Sequence, residues 1–147
     1  MRFAVLAMCL FLGACGSTPN LAVNSDTKSI MNLIALAEQS APQGVKGTFK
    51  LPIKATGMQS ERVYLNTQDD YRDRRNISVA ITPMLAFELD EKYGSAPDKF
   101  FLNKTVEVTG EVKRVKIYFL SKGKMTDKYY FQTQIKISSL DQIKVIS

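Results

Sequence analysis

The 147-residue chain contains no histidine. Without imidazole it loses the commonest general base, the commonest zinc ligand and every Ser-His-Asp or Cys-His arrangement. Cysteine is scarce, confined to Cys9 and Cys15. Glycine and proline number only 8 and 5, too few for a collagen-like or low-complexity chain. The apolar run from Phe3 to Leu12 is half the length, about 20 residues, that a spanning helix needs. Acidic residues are outnumbered, 14 against 20 basic, which leaves a net charge of +6. What is present, 45% hydrophobic and 23% charged residues, fits one small globular domain and excludes wholesale disorder.

The first fifteen residues read as an address. Arg2 supplies a positive start, the apolar run follows, and Leu12-Gly13-Ala14-Cys15 closes it, the pattern of a secretion signal to be set aside in fold reasoning. The tetrapeptide resembles the lipobox of bacterial lipoproteins. The resemblance implies that residues 1–14 are a signal peptide and that Cys15 carries diacylglycerol. Its new amine would be acylated, with palmitate or a similar fatty acid, so that the partner is a membrane reached through Cys15. Gly16 stands where an Asp would resemble an inner-membrane retention signal, which implies the outer membrane of the cell envelope, on its periplasmic or surface face. An ordinary secretory signal with an incidental cysteine is the alternative. Cys9 would leave with the signal, so no disulfide is available and stability must come from packing.

Residues 15–24 then read as the lipidated Cys and a short polar tether. Across 25–41, Ile30, Leu33, Ile34 and Ala37 recur at helical spacing behind the capping residues Ser25 and Asp26, which predicts an N-terminal helix. From Val45 the period becomes two, predicting a long half-buried strand in which Pro52 marks an edge, a bulge or a bend. A connector at 56–60, a strand at 62–66, a charged loop at 68–75 and a strand with Ile77, Val79 and Ile81 inward follow. Thr82-Pro83 and Gly94 bracket a helix carrying Leu85, Leu89 and Tyr93 on one face, and 95–103 reads as a loop. The longest strand, 104–120, changes apolar parity between Val112 and Val115, which predicts a β-bulge near Lys113 or Arg114. A hairpin loop at 121–127 leads to a strand with Tyr129, Phe131, Thr133, Ile135 and Ile137 inward, and 143–146 is a short last strand.

The expected fold class is therefore mainly β with two helices (α+β). Its core would be a five-stranded OB-like Greek-key barrel over 44–147, with one helix between strands three and four and the other at the N-terminus. Val63-Tyr64-Leu65-Asn66, then Asp69 to Asp73 with Asn76-Ile77, and Lys104 to Gly110 resemble exported bacterial OB-fold domains of the tRNA-anticodon-like type. That resemblance implies a nucleic-acid-binding-like fold without a fixed ligand.

The basic surplus is local. Lys113, Arg114, Lys116, Lys122, Lys124, Lys128 and Lys136 face the single acid Asp127 between residues 113 and 136, and the rest of the chain balances to zero. Alternation puts Lys116, Tyr118, Tyr130 and Gln132 outward on this hairpin, with Arg62 and Tyr64 outward on the neighbouring strand. Cations interleaved with aromatic rings suit single-stranded nucleic acid or an acidic glycan. The expected ligand-binding set is Arg62, Tyr64, Lys116, Tyr118, Lys122, Lys124, Lys128 and Tyr130, in a non-catalytic module with no cofactor. A solvated hairpin near anionic head groups, and an envelope assembly factor that binds another protein, are the competing readings. Asp69, Asp70 and Asp73 are possible ligands for a hard cation, but three interleaved arginines favour a self-paired loop with Tyr71 packed down as its anchor.

Overall fold

The computed structural model describes residues 21–23 and 25–147; the expected signal peptide, Cys15 and most of the expected tether lie outside the described residues. The elements in chain order are β1 (Leu21–Val23), α1 (Thr27–Ser40), β2 (Val45–Pro52), β3 (Ala55–Gln59), β4 (Arg62–Asn66) and β5 (Ile77–Ile81). After them come α2 (Pro83–Tyr93), α3 (Pro97–Phe100), β6 (Thr105–Ser121), β7 (Lys124–Ile137), a 3₁₀ turn (Leu140–Gln142) and β8 (Ile143–Val145).

Helix α1 starts where its cap dictates: the Asp26 carboxylate accepts from the Ser29 amide at 3.0 Å and the Ser29 hydroxyl at 2.6 Å. Its stripe Ile30, Leu33, Ile34 and Ala37 is buried against β2 and β6, as the spacing requires. Helix α2 buries Leu85 and Leu89 and ends on Gly94 at φ 68°, a left-handed stop that glycine adopts without strain. The fold is mainly β with three helices rather than two, because α3 forms inside the expected loop. Its Phe100 stacks on Tyr93 at 4.0 Å and Phe101 meets the same ring edge-on at 5.9 Å, contacts that a four-residue helix cannot advertise through periodicity.

All eight strands join one sheet, hydrogen-bonded in the order β1-β2-β6-β7-β5-β4-β3, with β8 also on β6. Strands β2 and β3 stand at distant places in that order yet are separated in sequence only by Ile53 and Lys54. There the pairing partner switches: the Ile53 amide donates to the Lys104 carbonyl at 2.8 Å and the Lys54 amide to the Asn66 carbonyl at 2.9 Å. Pro52, which has no amide to donate, sits at that switch. One face of the sheet supplies Phe49, Leu51, Val63, Leu65, Ile77, Val79, Val106, Val108, Val112, Ile135 and Ile137 to a single core shared with α1 and α2. Gly110 lies in it without a side chain because a Cβ there would stand 2.9 Å from Cγ2 of buried Ile135.

Three local expectations need correction. The connector at 56–60 is a strand, β3, whose hairpin turn is made by Ser60 and Glu61 at φ 50° and 64°. Neither is the Gly or Asn that usually announces such a turn, so the sequence hid it. The bulge is not at Lys113 or Arg114: pairing runs unbroken from Val112↔Ile135 to Tyr118↔Tyr129, and the register shifts between Tyr118 and Leu120. The parity change arises because β6 leaves the core after Val112, so Val115 and Ile117 belong to the opposite face. For the same reason Tyr129 and Phe131, expected inward, are exposed.

A candidate ligand-binding face

Across the outer side of the sheet, Asn66, Ser78 and Gln134 stand abreast on β4, β5 and β7. They floor a cavity of about 570 Å³. Tyr64 from β4, Tyr130 and Gln132 from β7, Ile117 and Phe119 from β6, Met58 from β3, and Tyr71 and Arg72 from the 67–76 loop make its walls.

The floor is tied together by two sets of side-chain hydrogen bonds. Asn66 Oδ1 accepts from the Ser78 hydroxyl at 2.6 Å and from Asn76 Nδ2 at 3.2 Å. Asn76 Nδ2 also reaches Ser78 Oγ at 2.9 Å and the Tyr71 carbonyl at 3.2 Å, while Asn76 Oδ1 accepts from the Gln68 amide at 3.1 Å. Asn76 thus fastens the loop bearing Tyr71 and Arg72 to the sheet. On β7, Gln134 Nε2 donates to Gln132 Oε1 at 2.8 Å, and Gln132 Nε2 donates to the Tyr130 hydroxyl at 2.8 Å. The relay runs one way, so the Tyr130 hydroxyl proton is left to donate outward. Burial raises the Tyr130 pKa above its ordinary value, with the nearby Tyr71 adding to it, so that proton is retained at neutral pH. A second donor, Asn66 Nδ2, has no acceptor among the described residues. The cavity therefore offers donors and ring faces to an acceptor-rich guest.

A second cavity of about 410 Å³ adjoins the first and shares Tyr71, Arg72, Tyr130 and Gln132 with it. Arg74 and Arg114 line this end, together with Glu38 of α1 and Asp73. Among the described residues neither Arg74 nor Arg114 has a carboxylate within ion-pair distance; the Arg114 guanidinium lies 4.2 Å from the Phe131 ring centroid. Asp73, by contrast, is taken by Arg75 at 2.6 Å, which holds its carboxyl at about 2, well below the usual carboxylate range. Asp70 accepts from the Arg72 amide at 2.9 Å. Among the described residues no three of His, Cys, Asp and Glu gather into a group that could hold a metal ion.

The eight expected site residues do not share one face. Tyr64 and Tyr130 meet in the first cavity, and Tyr118 reaches its rim. Register places Lys116 and Tyr118 on the face opposite Tyr130 and Gln132, where Lys116 Nζ lies 4.3 Å from the Tyr129 ring centroid. Arg62 is exposed beside Gln59 and lines neither cavity, and Lys122, Lys124 and Lys128 sit toward the free end of the hairpin, also outside both. Sequence reasoning missed Asn66, Ser78, Arg74 and Arg114 as walls, and it expected Tyr71 to be packed down where it is exposed. The one signal available for the first two was polar residues at alternate positions facing away from a fully apolar strand side.

No protein-family model matches the chain, and no curated protein matches it. Solved structures similar to it include the aspartyl tRNA synthetase from Entamoeba histolytica, at 16% identity and TM-score 0.43, over 76% of this chain and 20% of that one. Another is the p204 HINb domain, at 10% identity and TM-score 0.35, over 74% of this chain and 43% of that one. The chain thus spans less than half the length of either.

Proposed function

We propose that this chain is a non-catalytic binding module for an anionic ligand, an acidic glycan or a nucleic-acid-like polymer. In this reading it is held at the cell envelope, at the outer membrane, by a lipid on Cys15. β2 and β3 count as one strand bent at Pro52, and with β4, β5, β6 and β7 they follow the order of a five-stranded OB barrel with α2 between its third and fourth strands. The cavity then lies on the strand-two and strand-three face, where such barrels bind.

The observation that carries the proposal is the composite groove. Its first end presents Tyr64, Tyr130 and hydrogen-bond donors, Arg72 is common to both ends, and the other end presents Arg74 and Arg114 beside Glu38 and Asp73. A ring unit stacks at the first end while its phosphate or carboxylate meets guanidinium at the second. The basic, tyrosine-bearing part of the hairpin that binds is thus its base, Arg114 with Tyr130, rather than its lysines.

The test is binding of the chain from Gly16 onward, which keeps every described element, to single-stranded oligonucleotide, lipopolysaccharide and peptidoglycan fragments at low and moderate salt. Affinity for one of them that falls with salt and is lost in Arg114→Ala with Tyr130→Ala supports the reading. Indifference of every polyanion would turn the assignment to a protein partner, as in an envelope assembly factor.

A further inference from the structure

Strands β6 and β7 outrun the rest of the sheet. β6 leaves β2 at Val112 and β7 leaves β5 at Thr133, so residues 114–131 form a ribbon paired only with itself. At its free end Leu120 pairs with Met125, and the two are 63% and 69% exposed. The turn beyond them is the pair Lys122 and Gly123, at φ 51° and 74°. Lys122 and Lys124 lie at the turn beyond this pair and Lys128 follows in β7, with Asp127 as the lone acid among residues 120–128, and the pair Tyr118 and Tyr129 stands further from the turn. Met125 and the three lysines line neither cavity.

We propose that this free end docks on an anionic bilayer surface. Leu120 and Met125 enter the boundary between head groups and acyl chains, and Lys122, Lys124 and Lys128 meet lipid phosphates. Three observations choose a membrane as occupant. The first is charge complementarity, since residues 113–136 of this hairpin hold seven basic residues against the single acid Asp127. The second is composition along the ribbon: the turn carries Lys122 and Lys124, the exposed pair Leu120 and Met125 lies immediately behind it, and Tyr118 and Tyr129, whose rings suit the interfacial layer, follow.

The third is direction. β1 runs parallel to β2, and β2 antiparallel to β6, so Leu21 is the end of β1 nearer the projecting hairpin. Leu21 lies level with Gly110, ten residues of strand from Leu120. The six residues back to Cys15 span at most about 20 Å when fully extended. This third argument alone rests on the proposed lipid at Cys15; the docking itself stands on the hairpin.

The experiment uses the chain from Gly16 onward, which lacks Cys15, so that its result is independent of lipidation. It is sedimented with vesicles of phosphatidylcholine alone and of phosphatidylcholine mixed with phosphatidylglycerol. Binding to the mixed vesicles is expected, falling about fivefold for each of Lys122→Gln, Lys124→Gln and Lys128→Gln, and weakening with salt. Met125→Asp, fully outside the groove, should lower it at least tenfold, while Tyr130→Ala leaves it unchanged. Failure to bind mixed vesicles, binding that Met125→Asp does not alter, or loss caused by Tyr130→Ala would overturn the docking. Transfer of the Met125→Asp effect from vesicles to a captured protein would assign the tip to a protein partner instead and equally overturn it.

Discussion

Asn76 is the residue on which the shape of the groove most depends, and its replacement by alanine tests that directly. The substitution removes donors to Ser78 Oγ at 2.9 Å, Asn66 Oδ1 at 3.2 Å and the Tyr71 carbonyl at 3.2 Å, and the acceptor of the Gln68 amide at 3.1 Å and, more weakly, of the Thr67 hydroxyl at 3.4 Å. The amide has two hydrogens for three acceptors, so about three effective bonds are lost, each contributing a net 0.5–1.5 kcal/mol. Part of the network survives: Ser78 still donates to Asn66 Oδ1 at 2.6 Å, and Thr67 Oγ1 still accepts from the Ile77 amide at 2.9 Å. The expected loss is therefore about 2–3 kcal/mol, or a Tm lower by roughly 6–15 °C for a chain of this size. Urea denaturation followed by circular dichroism measures it. Asn76→Asp keeps the acceptors but sets a carboxylate oxygen against Asn66 Oδ1 and the Tyr71 carbonyl, so it should not rescue at neutral pH. A loss below about 1 kcal/mol for alanine, smaller than even one buried polar group left unpaired, would refute this account of the floor.

The other expectations concern the ligand, the core and acid. Tyr130→Ala should weaken ligand affinity by about 1–3 kcal/mol, roughly 5- to 150-fold, if a ring stacks there; Tyr130→Phe, which keeps the ring but removes the outward donor and the acceptor of Gln132 Nε2, should cost about 0.5–1.5 kcal/mol in the same titration. Gly110→Ala should destabilise by about 1–3 kcal/mol, because the new methyl meets Ile135 at 2.9 Å. Gly57→Ala, where a Cβ meets nothing within 4 Å, should stay within about 0.5 kcal/mol of the parent in the same denaturation. Asp73 has a folded pKa of about 2, below the ordinary range of a free carboxylate, so its pairing with Arg75 contributes fully above the unfolded value and is lost as pH falls through the folded one. A carboxyl titration by NMR should show that depression shrink in Arg75→Ala without vanishing, because the residue 75 amide still donates to Asp73 Oδ1.

Much of the fold was legible because its signals are local. The stripe from Ile30 to Ala37 and the alternations in β2, β4 and β5 each report one face against one core. What failed were inferences that needed to know where the core stops. Val115 and Ile117 looked like a slipped register because periodicity cannot distinguish a bulge from a strand that has left the domain. The same blindness merged Lys116 and Tyr118 with Tyr130, which alternation alone cannot place across a hairpin whose register is shifted near its tip. The charge surplus was legible, but its division into guanidinium at the base and ammonium at the tip was not, since Arg72 and Arg74 join Arg114 only through the fold.

The central claim is that an anionic ligand lies in the groove over β4, β5 and β7. It is tested most directly by amide and side-chain NMR of the isotope-labelled chain from Gly16 onward, titrated with a single-stranded oligonucleotide and with acidic glycan fragments. The account predicts shifts gathered on Tyr64, Asn66, Tyr71, Arg72, Arg114, Tyr130 and Gln132, with Lys122 and Met125 unmoved. Shifts confined to the hairpin tip, or no shifts with any polyanion, would contradict it.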